Sequence, residues 1–235
     1  MIVIVGSPIG RPTDHGIGAT GMPAGIARAA AESGAAVEVV GRVGEDATGD
    51  AILLDLAAHD IGHVAMLREP GRPTPTVVPA GAGSAIPDGP ALAEAVLDGI
   101  DPLDDDDVLS SDADGAGSQP AGLSLDAGDL ELALRYIPDY RVLVVAADLD
   151  ETALDTVIAA AGWSGAHLVA LVPDGSPPPA ALPAEATLLL RPAIDPDGAF
   201  AAMVAGYAVA LDRGDEPRAA FAAAQRAGSW AAVAD

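Results

Sequence analysis

The chain has 235 residues, half of them hydrophobic, with 27 Gly, 20 Pro and no Cys, a length for one large domain or two small ones; a collagen or a disulfide scaffold is excluded. Acidic residues number 35 against 11 basic ones, and the formal charge of −24 argues against nucleic acid as a partner, because phosphate is repelled over most of such a surface. Aromatic residues make up only 3%, so the core has to be built from Ala, Val, Leu and Ile.

All 11 basic residues are Arg, and Asp far outnumbers Glu. Carboxylates hold water well and their repulsion is screened within about 3 Å at 1 M salt, so the composition points to a halophilic protein. No segment reaches the roughly 18 apolar residues of a membrane span, and Met1-Ile2-Val3-Ile4-Val5 lacks the basic start of a signal peptide. The expected location is the cytoplasm, with no membrane partner.

In chain order, residues 1–5 form a β-branched run ending at Gly6, a buried strand followed by a turn. A Gly/Pro-rich loop spans 7–23. Residues 24–33 have helical composition with Gly34 as the stop, and 36–40 form a second strand. Residues 47–60 carry Ile52, Leu53, Leu56 and Ala57 on one helical face. Short strands are predicted at 63–67 and 76–78. The middle is irregular at 79–90 and 101–120 around a short helix at 91–97. Order returns with a helix at 125–136, a strand at 141–147, a helix at 151–161 and strands at 167–172 and 187–190. Two helices close the sequence, 198–211 and 216–233. Strands alternating with helices, apolar on both faces, predict a mainly parallel sheet in a three-layer αβα domain.

One stretch is more specific. Val40-Gly41-Arg42-Val43-Gly44-Glu45-Asp46-Ala47-Thr48-Gly49, followed after a helix by Pro73-Thr74-Pro75-Thr76, resembles the V-G-R-V-G-x-D-x-x-G segment and P-T-G-T-like turn of the ribokinase (PfkB) family of carbohydrate and nucleoside kinases. Residues 123–173, and the end from Gly198-Ala199-Phe200-Ala201-Ala202 through Gly206 to Trp230, are similar to the same family. The resemblance implies a single ribokinase-like domain over 1–235 with an irregular acidic loop at about 101–120. It further implies ATP with Mg as cofactors of an active member, and a sugar or nucleoside as ligand.

Family kinases carry a D-T-x-G-A-G-D turn whose N–H groups stabilise the transferring phosphoryl and whose last Asp takes the proton from the acceptor hydroxyl. Here the text is Pro192-Ala193-Ile194-Asp195-Pro196-Asp197-Gly198 before Ala199, so the base position falls on Gly198. Gly198 and Ala199 mark the anion-hole region. Pro196 removes a donor. Asp195 as N-cap, Pro196 at the first helical position and Asp197 in the first turn also make an ordinary helix start; a relocated base at Asp197 or Asp195 is the alternative. At the substrate end, Gly25 stands at the Asn of a G-G-K-G-x-N-like segment that begins near Gly21. The Asp expected after the first strand falls near Arg11, with Asp14 three residues on. The 6–23 loop is too short for the family's pair of lid strands, which predicts a lid reduced or absent.

Other signals have plainer readings. Gly16-Ile17-Gly18-Ala19-Thr20-Gly21 matches G-x-G-x-x-G, with Glu38 as its ribose acid, but it starts about ten residues after its strand, as a flexible glycine loop would. His59 and His63 lie on either side of Gly62, a poor metal pair. Asp112-Ala113-Asp114-Gly115 covers part of a calcium loop only, and no metal site is expected; the run from Asp104 to Asp107 reads as a solvated acidic loop. Trp163 and Trp230 read as core anchors. The sequence thus predicts a shortened sugar-kinase-like protein, monomeric or homodimeric, with kinase activity lost or much reduced and a ligand-binding or regulatory role left. An active small kinase using Asp197 or Asp195, with Asp14 orienting the acceptor, is the alternative. A dinucleotide-binding oxidoreductase is the second alternative.

Overall fold

The computed structural model describes residues 1–77, 121–137 and 139–227; the predicted helix at 91–97, the acidic loop at 101–120 and Trp230 lie outside them. Six parallel strands form the sheet: β1 (Ile2–Val5), β4 (Val37–Gly44), β5 (Met66–Glu69), β6 (Val142–Val145), β7 (His167–Pro173) and β8 (Thr187–Arg191), in the spatial order β5-β4-β1-β6-β7-β8. The chain leaves β1 toward one edge and later returns to β6 on β1's other side. β1 and β6 therefore flank the point where the winding reverses.

The pleat explains why the strands read as continuous apolar runs. Successive side chains of a strand point to opposite faces, and both faces are covered. Ile2 and Ile4 enter one core with α1 (Met22–Glu32), α2 (Ala47–Ala58), α5 (Ala199–Arg213) and α6 (Pro217–Ala227), whereas Val3 and Val5 enter the other with α3 (Ala127–Tyr136) and α4 (Glu151–Ser164). Three layers result, as the alternation predicts. With so few rings, the core's specific aromatic contact is the edge-to-face pair of Tyr207 and Phe221 at 5.6 Å. The buried Tyr207 keeps its hydroxyl hydrogen-bonded to Thr187 Oγ1 at 2.8 Å.

Part of the Asp excess has a local use. Asp46, Asp126 and Asp150 each N-cap a helix, accepting from N–H groups that would otherwise lack partners. Asp46 does more. It accepts from Gly49 N, Thr74 N and Thr74 Oγ1 at 2.7 Å each, and Thr74 Oγ1 in turn accepts from Gly44 N at 2.8 Å. The residues that carry the family resemblance thus tie the end of β4, the start of α2 and the loop after β5 into one knot.

Four expectations are corrected. Residues 7–23 are not strandless, since β2 (Ile9–Thr13) and β3 (Gly16–Thr20) pair as an antiparallel hairpin. It is held by tertiary bonds from outside: Gly10 exchanges backbone hydrogen bonds with Pro75 and Val77 at 2.8 Å, and Asp55 accepts from Ala19 N at 2.8 Å. Consequently Gly16 and Gly18 belong to a strand rather than to a phosphate-cradling turn. Glu38 sits at the start of β4, accepting from Val64 N at 2.6 Å, far along the strand from the end where a ribose would lie; burial pushes its carboxyl above the usual range. Trp163 is 95% exposed, because Ala153, Leu154, Val157 and Ala161 form the buried face of α4 and residue 163 is rotated about 200° from 161. Finally, α5 starts at Ala199 with Gly198 as N-cap, three residues later than a helix capped by Asp195 would.

Candidate functional site

A cavity of about 650 Å³ opens at the carboxyl ends of β1 and β6, beside the winding reversal where open α/β sheets bind ligands. Its size suits a small molecule. Its walls come from distant parts of the sequence: Ser7 after β1, Ile9 and Arg11 of β2, the first turn of α1, residues 121–125, Ala146 to Asp148 after β6, and the segment from Arg191 to Gly198.

Each wall has a local cause. Gly6 ends β1 at a φ of +155°, and a Cβ there would come within 2.6 Å of Pro23 Cγ; only glycine lets the start of α1 close over the strand end. Buried Ser7 donates its hydroxyl to Leu123 O at 2.5 Å and accepts from Arg42 N at 2.9 Å, which fastens residues 121–125 to the mouth of the sheet. In β2 the side chains alternate, so Ile9 and Arg11 face the cavity while Gly10 lies against Thr48 and Thr76.

Of the residues singled out in the sequence, Asp195, Asp197, Gly198, Gly21 and Gly25 are brought together in this lining. Ala199 opens α5 immediately behind Gly198. Asp14 is not in the lining: it occupies the exposed turn between β2 and β3, because the hairpin carries residue 14 to its tip and leaves Arg11 on the inner face. Gly25 packs α1 against α5, its Cβ position being 3.1 Å from Ala201 Cβ.

The Asp195 carboxylate decides the character of the α5 end. Its Oδ1 accepts from Phe200 N at 3.1 Å and its Oδ2 from Ala201 N at 2.9 Å, while Gly198 N donates to Asp195 O at 3.2 Å and Gly198 adopts a left-handed φ of +67°. Asp195, Pro196, Asp197 and Gly198 thus make a turn that folds one carboxylate back onto the helix amides. The positive end of the helix dipole is already occupied by a fixed negative charge.

Sequence reasoning passed over Arg28, Asp148 and Arg191. Arg191 is the last residue of β8 and donates to Asp148 Oδ2 at 2.6 Å; Arg28 donates to Asp55 Oδ2 at 2.9 Å and to Ala19 O at 3.3 Å. The position of Asp148 and Arg191 just at or beyond strand carboxyl ends is the signal that could have found them. His59 and His63 are not in the lining; His59 Nδ1 lies 2.8 Å from Asp55 O and His63 Nδ1 3.1 Å from Ile61 O.

The strand order, the reversal beside β1, the hairpin over the strand ends and the α5 turn form one arrangement. The chain has the ribokinase fold. It is similar over 100% of its length to the structure of Arabidopsis thaliana ribokinase complexed with ribose and ATP, covering 93% of that chain with a TM-score of 0.59 and 15% identity. A PfkB protein from Polaromonas sp. JS666 matches 99% of the chain and 96% of its own at a TM-score of 0.58 and 14% identity, and the structure of Sa239 matches at 0.61 and 15%, covering 100% and 94%. No protein-family profile and no curated protein matches the sequence. Among the described residues β2 and β3 form a separate two-stranded hairpin beside the strand ends, and residues 192–198 join β8 to α5 without a further strand.

Proposed function

We propose that this chain is a small-molecule-binding protein on a ribokinase fold, descended from ATP-dependent phosphoryl transfer to a sugar or nucleoside hydroxyl, with that transfer lost or much reduced and a ligand-binding or regulatory role left. The observation that carries this reading is the Asp195 carboxylate hydrogen-bonded to the Phe200 and Ala201 N–H groups. A phosphoryl group approaching the same amides meets a negative charge and no free donor. The residues present therefore do not fit a triphosphate at the α5 end. A missing general base costs about 10² to 10⁴ in rate, and each lost oxyanion donor about 10² to 10³; Gly198 offers no side chain for the first. Among the described residues no group of three or more His, Asp or Glu side chains is placed to hold a metal ion.

The active-kinase alternative has one observation in its favour: Asp197 lines the same cavity as Gly21 and Gly25. One experiment separates the two. ATP consumption is measured with a panel of sugars and nucleosides for the wild type and Asp197→Asn, alongside thermal shifts with the same compounds. The binder reading predicts shifts without turnover; turnover abolished in Asp197→Asn would establish the kinase instead. The acidic surface supports placing the protein in the cytoplasm of a halophile, and among the described residues no helix is long and apolar enough to cross a membrane.

A further inference from the structure

We propose that β8 is the contact between two copies of this chain: a second molecule adds its own β8 antiparallel to the first, about a two-fold axis at Leu189, so that the two sheets become one. This contact is independent of what the cavity binds. Among the described residues β8 is the last strand of the sheet, with β7 on one side and no strand on the other.

The backbone shows which groups the edge leaves open. Arg191 pairs with Pro173 of β7, and Arg191 O accepts from Asp174 N at 3.0 Å. Directions alternate from residue to residue along a strand. Thr187, Leu189 and Arg191 therefore turn their N–H and C=O groups to β7, and Leu188 and Leu190 turn theirs outward. The open ladder is bounded at both ends, since Ala186 N donates to Pro183 O at 3.0 Å and Pro192 has no N–H. An antiparallel copy that sets Leu188 opposite Leu190 of the second molecule satisfies the N–H and C=O groups of both leucines in both copies.

The side chains agree with that register. Leu189 is buried in the core that contains α5, whereas Leu188 and Leu190, on the opposite face, are 38% and 53% exposed. Across the two-fold they meet as apolar cross-strand pairs. The charge pattern selects a second copy as the occupant. Acids make up 35 of 235 residues, yet none occurs from Ala186 to Ile194, so two molecules of formal charge −24 meet here without opposed carboxylates. Arg191 is held by Asp148 of its own chain and falls opposite Thr187 of the second copy, so no like charges face each other. Because the strands run antiparallel, the cavities open at opposite ends of the joined sheet.

The test is sedimentation velocity from about 1 to 100 μM in molar KCl, where charge repulsion is screened. It compares the wild type with Leu190→Glu, Leu188→Lys and Trp163→Ser, and circular dichroism checks that each variant is folded. Amide hydrogen exchange is followed on the wild type at both ends of the range. The wild type is expected to be dimeric at the upper concentration, with the Leu188 and Leu190 amides protected there and exchanging on dilution. Each leucine variant, altered at an exposed side chain, is expected to weaken the dimer at least about tenfold. Trp163→Ser, an exposed change on α4, is expected to leave it intact. A wild type monomeric throughout the range, or a dimer broken by Trp163→Ser and not by the leucine changes, would overturn the inference. So would Leu188 and Leu190 amides protected in a monomer, which would show another part of the chain on the edge.

Discussion

Asp195 and Ala201, six residues apart, are joined by a 2.9 Å hydrogen bond from the helix amide to the carboxylate, so the protein's own side chain fills the place where an external anion would dock on α5. Capping and anion binding use the same N–H groups. Asp195→Ala is therefore expected to lower stability by about 1 kcal/mol and, in the same variant, to raise affinity for pyrophosphate or ATP. Thermal unfolding and calorimetry read the two effects, and a variant less stable but no better at binding anions would show that Pro196 or Asp197 also blocks the site.

Gly25 stands where the resemblance puts an Asn, yet its Cβ position is 3.1 Å from Ala201 Cβ. Gly25→Asn is expected to destabilise by about 1–3 kcal/mol through overpacking, and Gly25→Asn with Ala201→Gly to recover much of it. Equal stability of the two variants would mean that α1 and α5 slide apart freely at this point.

Asp46 gives the pH dependence. Burial acts to raise its pKa, but hydrogen bonds from Thr74 N–H, Gly49 N–H and the Thr74 hydroxyl outweigh it, with the Arg68 charge assisting, and hold the carboxyl below its ordinary 3.8. Because the folded form has the lower pKa, this stabilisation is present above about pH 3.8 and is lost as pH falls through the folded value. Asp46→Ala should cost about 1–2 kcal/mol near neutrality. The difference in melting temperature from wild type should narrow below pH 4, and a gap constant from pH 7 to pH 3 would contradict the assignment.

The formal charge of −24 makes a direct claim about salt. Self-repulsion falls as the screening length drops from about 10 Å at 0.1 M to about 3 Å at 1 M, so the melting temperature should climb between dilute buffer and molar KCl. A flat or falling profile would remove the halophilic reading.

Much of the fold was legible because its signals are local. The runs at Ile2–Val5 and Val142–Val145, and at 168–172 within β7, are apolar at consecutive positions, as strands covered on both faces must be, and aspartates mark the starts of α2, α3 and α4. The hairpin was hidden because Ile9-Gly10-Arg11-Pro12-Thr13 has no strand alternation; its pairing is fixed by Pro75, Val77 and Asp55, contacts that form only once the domain has closed.

The candidate site divides the same way. Composition and the stretch from Val40 to Gly49 determined the class of domain, and the text from Asp195 to Gly198 marked where its chemistry should sit. That Asp195 turns back onto the α5 amides, that Asp14 points outward from a hairpin tip, and that Arg11, Arg28 and Arg191 meet at one cavity were decided by tertiary structure alone. Burial patterns and helix caps are written within a few residues of one another, whereas a charged cavity is assembled from side chains whose neighbours are set by how strands are ordered in the sheet.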